Sequence, residues 1–385
     1  MYSASTSFES NMRIPPFLWL ACLLLCNPAH ATTALHPSRG DEVIERLPTI
    51  TRVRPAAVVS AVADPVAAAT QARSHIATAR QTGDTRYWGR AQAVLAPWWD
   101  KPDAPVDLAI LQATVQQGRH DFKASRLILQ AALRRSPGHA QGWLNLAALE
   151  RLSGHYAEAL HACDAVARAG QNLYALACQL ETQSMQGQNV AARKGFTQLL
   201  AETQDPAQIS WLQSLLAESE ERAGADAAAL SAYQRSLQAE PDLYTSIALS
   251  DLLLRTGKTA QALAVLQPLP QTDAVLLRQA TAMRRLNNPD WKTLRATLRE
   301  WNAELARRGD DLTLHGREQA LVALWLDDDA PGALQIARRN LDLQREPIDW
   351  WVALQSARQA KDAVAVQQLQ KDMQQVGIVD ARSRP

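Results

Sequence analysis

Few residues in this sequence are placed where they could do chemistry together. His155 and His161 stand six positions apart, on different faces of a helix, and His315 shares a face with Glu318 but lacks a third metal ligand. The acidic run 327–329 precedes a helix start, where carboxylates cap free amides without needing calcium. The motifs of serine nucleophiles, phosphate loops, dinucleotide binding and Cys-x-x-Cys chemistry are missing from these residues. We therefore expect no catalytic residue, no metal, no cofactor and no enzymatic activity.

Two pairs of adjacent tryptophans could offer flat surfaces to a ligand. Trp98-Trp99 and Trp350-Trp351 have the ring area that carbohydrate or lipid platforms use. Adjacent side chains diverge by about 100° around a helix, so we expect one tryptophan of each pair to pack inward. The other tryptophan of each pair is then free to be exposed.

The first residues of the chain indicate export. Met12-Arg13, the apolar run 17–25 and the small-x-small motif Ala29-His30-Ala31 predict a signal peptide over 1–31, cleaved after Ala31, with translation starting at Met1 or Met12. The apolar run is shorter than the roughly 20 residues that span a bilayer, so we expect no integral membrane span after cleavage. These features favour a periplasmic location. Residues 32–64 contain several prolines and predict an extended tether.

Two cysteines remain beyond the predicted signal peptide. Cys163 falls on the second helix of one predicted helix pair and Cys178 on the first helix of the next. Consecutive helices in such a stack touch, so a disulfide is geometrically plausible in an oxidising compartment. The alternative is two small buried apolar residues. The sequence leaves both interpretations open.

The chain contains an internal repeat that defines its elements. Four glycines recur at intervals of 33, 37 and 33 residues, each followed five positions later by an alanine and nine positions later by a bulkier apolar residue. A period near 34 is typical of stacked helical hairpins. The repeat positions are Gly154, Ala159 and Cys163; Gly187, Ala192 and Phe196; Gly224, Ala229 and Tyr233; Gly257, Ala262 and Leu266.

Helical periodicity and turn residues extend this pattern on both sides. We predict an all-α solenoid of about nine antiparallel helix pairs over 65–377, with the clearest repeats in 140–270 and a flexible tail over 378–385. The flanking pairs keep the length of the repeat but have other residues in place of the glycine, including His120 and Asp328. Whether the seventh to ninth pairs are true repeats is left open.

The repeat resembles the tetratricopeptide repeat (TPR) family. Trp143-Leu144-Asn145-Leu146-Ala147, then the segment 154–160 and then Cys163 follow the family consensus, and Pro137 and Pro241 stand where its closing proline belongs. The whole chain is similar to exported TPR proteins of Gram-negative bacteria. The resemblance implies a right-handed superhelix whose first helices form a concave face that binds partners, and it implies no activity.

Two rows of residues recur along the predicted concave face. Tyr174, Trp211 and Tyr244 precede their turn glycines by thirteen positions, and Glu181, Glu218 and Asp251 precede them by six. An aromatic row beside an acidic row would suit an extended or helical peptide that carries basic residues. The alternative is that the aromatic residues pack between helix pairs and the carboxylates form a solvated face.

The composition limits the classes of partner. Forty lysine and arginine residues against thirty-nine acidic residues leave no excess charge to hold a nucleic-acid backbone. The sequence therefore predicts a non-enzymatic scaffold that binds a protein or peptide in the periplasm, and no nucleic acid. The alternatives are a membrane-associated assembly or chaperone factor and an accessory subunit of an enzyme or transport system, with a site of its own in 273–343.

Overall fold

The computed structural model describes residues 64–307 and 312–383, which belong to one compact unit. The described residues form eighteen α-helices and no strand. The helices are α1 Pro65–Thr82, α2 Arg86–Leu95, α3 Val106–Gly118, α4 Phe122–Arg135, α5 Ala140–Leu152, α6 Tyr156–Arg168, α7 Asn172–Met185, α8 Asn189–Glu202, α9 Pro206–Arg222, α10 Asp226–Ala239, α11 Leu243–Arg255, α12 Thr259–Leu266, α13 Asp273–Arg285, α14 Trp291–Arg307, α15 Gly316–Trp325, α16 Ala330–Leu343, α17 Pro347–Gln359 and α18 Ala363–Val376. The predicted signal peptide and all of the predicted tether except Asp64 lie outside the described residues.

These helices form nine consecutive pairs, and the all-α solenoid is confirmed. Each pair turns at a residue with left-handed backbone, which lets the second helix reverse direction. Five of the nine turns use glycine and four use other residues at φ between 55° and 63°, where a side chain is tolerated at some cost. The turn residues are Gly83, His120, Gly154, Gly187, Gly224, Gly257, Asn287, Asp328 and Lys361. The seventh to ninth pairs therefore repeat the turn geometry of the central ones.

The small and bulky repeat positions form the core within each pair. The alanines Ala159, Ala192, Ala229 and Ala262 are all fully buried, as are Cys163, Phe196, Tyr233 and Leu266 one turn later. Small side chains let the two helices of a pair approach closely, and the bulky residue then fills the space toward the next pair. The spacing seen in the sequence is thus a packing requirement.

Short polar side chains fix where many helices begin. Asp121, Asp205, Asp242 and Asp362 each precede a helix and accept hydrogen bonds from its first free amides. Asp329 does the same for α16 by accepting from the Gly332 amide, as expected of the acidic run 327–329. Asp205 and Asp242 thus fix the starts of α9 and α11.

A disulfide joins consecutive helix pairs. Cys163 of α6 and Cys178 of α7 are bonded, with their Cα atoms 5.6 Å apart and both side chains buried. The bond ties the third pair to the fourth. Of the two interpretations left open by the sequence, the structure has the disulfide.

The C-terminal part of the array contacts the turns of the third and fourth helix pairs. The Arg345 amide donates to the Leu152 carbonyl at 2.7 Å, and the Val379 amide donates to the Met185 carbonyl at 2.8 Å. Tyr156 is buried in the same core as α13 to α18. The array therefore curves enough for residues far apart in sequence to close upon each other.

The sequence predicted a flexible tail over 378–385. In the structure, residues 378–383 are packed against the repeats instead. Ile378, Asp380 and Ser383 are buried, and Arg382 lies between Asp380 at 2.6 Å and Glu221 at 3.5 Å. Apolar residues and paired charges hold this segment, which we call the C-terminal strap. Within the described part of the chain, no helix has the length and apolar character that crossing a membrane requires.

Candidate functional site

The predicted aromatic row lies on the surface formed by the first helix of each pair, which we call the inner face. Tyr174 on α7 and Trp211 on α9 are half-buried, with ring centroids 5.5 Å apart at an angle of 38°. Tyr244, on the first turn of α11, is 62% exposed. The row therefore combines a tilted pair of contacting rings with one exposed ring. This arrangement offers apolar area to a partner without a large rearrangement.

The carboxylates of the predicted acidic row form ion pairs with arginines of the protein itself. Glu181 pairs with Arg151 at 2.7 Å, and Asp251 accepts two hydrogen bonds from Arg278 at 2.7 and 2.8 Å. Glu218 lies 3.6 Å from Arg222 on the same helix. The sequence predicted that these carboxylates orient the basic groups of a peptide. In the structure, the carboxylates are already paired with arginines of the protein.

Glu218 and Tyr244 connect the two rows. The Tyr244 hydroxyl donates to Glu218 Oε1 at 2.7 Å. Burial raises the pKa of Glu218 to about 7, although the nearby Arg222 opposes this shift. The Glu218 carboxylate in turn raises the pKa of Tyr244 well above its ordinary value. The Tyr244 hydroxyl therefore keeps its proton at neutral pH and donates a hydrogen bond to Glu218.

The last helix pairs supply charges to the same face. Arg317 on α15 donates to Asp349 Oδ1 at 2.7 Å and Oδ2 at 2.8 Å and also binds Glu346, at the start of α17. Glu346 contributes to the raised pKa of both Glu218 and Tyr244, which places its charge near the acidic row. The charge of Glu346 therefore acts on the acidic row, and Arg382 of the C-terminal strap reaches Glu221 of α9 at 3.5 Å.

The arginines of the inner face were missed by sequence reasoning. Arg222 and Arg278 are almost completely buried, and Arg255 bridges Glu221 and Asp226. The Arg255–Glu221 pair links α11 to α9 and the Arg278–Asp251 pair links α13 to α11, so these two ion pairs act across repeats. A signal was present, since Arg151, Arg222 and Arg255 stand two or three residues before a turn glycine.

The three histidines that the sequence singled out contact other side chains of the protein. His155 binds Glu150 at 2.9 Å, His161 packs edge-on against Trp143, and His315 lies 5.6 Å from the ring of His120. Across 64–307 and 312–383, no group of three histidine, cysteine or acidic side chains is arranged to hold a metal ion. The described residues of block 273–343 form two further helix pairs, α13 with α14 and α15 with α16.

Comparison with known proteins finds similarity to helical repeat structures. No protein-family model matches the sequence, and no curated protein matches it. Similar solved structures include pilF of Pseudomonas aeruginosa, which is 16% identical and covers 53% of this chain and 99% of that chain with a TM-score of 0.38. A tetratricopeptide repeat protein from Parabacteroides merdae is 13% identical and covers 75% of this chain and 99% of that chain, with a TM-score of 0.38. Human IFIT1 is 13% identical and covers 76% of this chain and 69% of that chain, with a TM-score of 0.44.

The chain's own geometry defines its class. Nine left-handed turns and the buried alanines of the central pairs make it a solenoid of TPR-like helix pairs. Arrays of this kind present extended surfaces, and each pair contacts mainly its neighbours.

Proposed function

We propose that this protein is a non-enzymatic scaffold that binds a protein or peptide partner in the periplasm through the aromatic row of its inner face. The observation that carries the proposal is the exposed Tyr244 on α11 together with the contacting rings of Tyr174 and Trp211 on α7 and α9. Aromatic residues are enriched among the residues that dominate binding energy at protein interfaces. The three aromatic residues stand on α7, α9 and α11, the first helices of three consecutive pairs.

The internal ion pairs limit which chemical groups of a partner can bind to the inner face. Because Glu181 and Asp251 are paired with arginines, a basic peptide would have to displace these contacts to reach the carboxylates. Breaking a partly buried, bidentate ion pair leaves a charge without its partner and is costly. We infer that the partner brings apolar side chains and neutral hydrogen-bonding groups to the aromatic row.

Two features support the proposed compartment. The first 31 residues have the order of a signal peptide, and the disulfide between Cys163 and Cys178 is a bond that persists in oxidising compartments. Both are consistent with export to the periplasm. N-terminal sequencing of the protein recovered from a periplasmic fraction tests this part of the proposal, and we expect the first residue to be Thr32.

Affinity capture from periplasmic extract tests the binding surface. The variant combines Tyr174→Ala, Trp211→Ala and Tyr244→Ala, and a matched control combines Leu127→Ala, Val190→Ala and Val364→Ala at three other exposed apolar positions. Circular dichroism checks that both remain helical. We expect a partner that the control retains and the aromatic variant loses by about tenfold or more. Equal recovery by both variants would reject the aromatic row as the binding surface.

A further inference from the structure

A second candidate site lies where five first helices of the array converge. A cavity of about 440 Å³ is bounded by α9, α11, α13, α15 and α17, and Arg382 of the C-terminal strap closes one side. This volume is within the usual range of small-molecule sites. The cavity is separate from the aromatic row, since none of Tyr174, Trp211 and Tyr244 lines it.

One wall of the cavity is aromatic. Trp325 and Trp351 are half-buried and lie edge to face, with ring centroids 6.2 Å apart. The adjacent Trp350 is 3% exposed and packs into the core, so the two neighbouring tryptophans divide as their helical spacing requires. Trp351 is therefore the member of this pair that is available to a ligand.

The same helix presents two amide side chains beside that ring. Trp351, Gln355 and Gln359 follow each other at four-residue intervals on α17, so they share one face, and all three line the cavity. A primary amide both donates and accepts hydrogen bonds. A hydroxyl group does the same, so a polyhydroxylated ligand matches this wall.

Of the charged side chains that line the cavity, one arginine has no acidic partner among the described residues. Asp251 is paired with Arg278, and Glu221 is paired with Arg255 and with Arg382. Arg285 donates to the Leu254 carbonyl at 2.6 Å and pairs with no carboxylate among the described residues. A guanidinium at the mouth of a cavity is well suited to a carboxylate ligand.

We propose that this cavity binds a carbohydrate that carries a carboxylate, with the sugar ring on Trp351, its hydroxyls on Gln355 and Gln359, and its carboxylate on Arg285. The aromatic face, the paired amides and the unpaired cation each match one part of an acidic sugar. An acidic peptide could also use Arg285 and the two amides, but it brings no sugar ring to the tryptophan wall. This site goes beyond the proposed scaffold function and does not depend on it.

Titration calorimetry on the purified protein tests the proposal. The probes are oligosaccharides of galacturonic, glucuronic and mannuronic acid, their neutral counterparts and tetra-aspartate. The variants are Arg285→Gln and Gln359→Ala, both at exposed positions, and the control is Arg339→Gln, which removes the same charge from an exposed position outside the cavity. Circular dichroism establishes that each variant is folded.

We expect at least one acidic oligosaccharide to bind saturably at a single site, with its neutral counterpart weaker by about tenfold or more. We expect Arg285→Gln to weaken binding of the acidic sugar by about the same factor and Gln359→Ala to weaken binding of both sugars. The control Arg339→Gln should change the binding of neither sugar. The proposal is overturned if no acidic oligosaccharide binds at millimolar concentration, if Arg285→Gln and Arg339→Gln bind alike, or if tetra-aspartate binds as tightly as the best sugar.

Discussion

At the scale of single residues, the inner face is governed by charges that are satisfied within the protein. Glu218 differs from this pattern, because burial raises its pKa to about 7 although Arg222 and Tyr244 contact it. A carboxyl group with a raised pKa binds its proton more tightly in the folded state than in the unfolded state. Its contribution to stability is therefore greatest below the unfolded pKa and is lost as the pH rises toward about 7.

Replacement of Glu218 by glutamine tests this pH dependence. Glutamine keeps the shape and can accept the Tyr244 hydrogen bond, but it does not titrate. We expect the wild-type unfolding free energy to fall between pH 4.5 and pH 8, and Glu218→Gln to reduce this fall by about 1–3 kcal/mol. Urea unfolding at both pH values measures the difference. An unchanged dependence on pH would show that Glu218 does not titrate as its surroundings indicate.

The turn glycines provide a second residue-scale prediction. Gly257 has φ of 76° and open space where a Cβ would lie, whereas a Cβ on Gly187, at φ 87°, would lie 3.1 Å from Val379 of the C-terminal strap. We expect Gly257→Ala to cost about 1 kcal/mol through backbone strain alone. Gly187→Ala should cost about 1 kcal/mol more because the strap must move. Urea unfolding of both variants measures these costs.

The control is the same pair of substitutions in a chain that ends at Val376. If the strap causes the additional cost at Gly187, the two substitutions become equally destabilising once the strap is removed. A difference that persists in the shortened chain would contradict the packing of Val379 against this turn.

At the scale of elements, the disulfide and the strap tie together helix pairs that a simple stack would leave independent. The Cys163–Cys178 bond encloses a sequence separation of 15 residues between α6 and α7. Val379 of the strap binds Met185 at the end of α7, so both ties meet at the fourth helix pair. Local opening of this pair is thus restrained from two sides.

The double variant Cys163→Ala, Cys178→Ala measures the contribution of the disulfide. Closing a loop of this length is worth about 3 kcal/mol in the chain-entropy account, and we expect a loss of that size in urea unfolding. The reduced wild-type protein serves as the control and should unfold at nearly the same urea concentration as the variant. Identical midpoints for oxidised and reduced wild-type protein would show that the bond adds no stability.

At the scale of the whole molecule, much of the fold was predictable because it repeats locally. Each pair carries its own turn, alanine and bulky residue within about 34 positions, so the helices and their order follow from short-range spacing. The repeat spacing places His120 and Asp328 at the turn position, and the left-handed backbone of both residues agrees with it.

The contacts that shape the candidate site were not predictable in the same way. The bond from Val379 to Met185 and the charge of Glu346 near Glu218 join residues more than 100 positions apart. Such contacts depend on the curvature accumulated over several pairs, which no local motif records. The aromatic and acidic rows could be located by counting, and so could Arg151 and Arg222, but the pairing of each arginine with its acid could not.

The most direct test of the central claim is site-specific photo-crosslinking in living cells. A benzophenone amino acid replaces Trp211 or Tyr244 in the aromatic row, or Val190 or Val364 at exposed apolar positions elsewhere as controls. The account predicts a discrete crosslinked partner in the periplasmic fraction from positions 211 and 244 and none from 190 and 364. Crosslinks only from the control positions, or from none of the four, would contradict a scaffold that binds through this row.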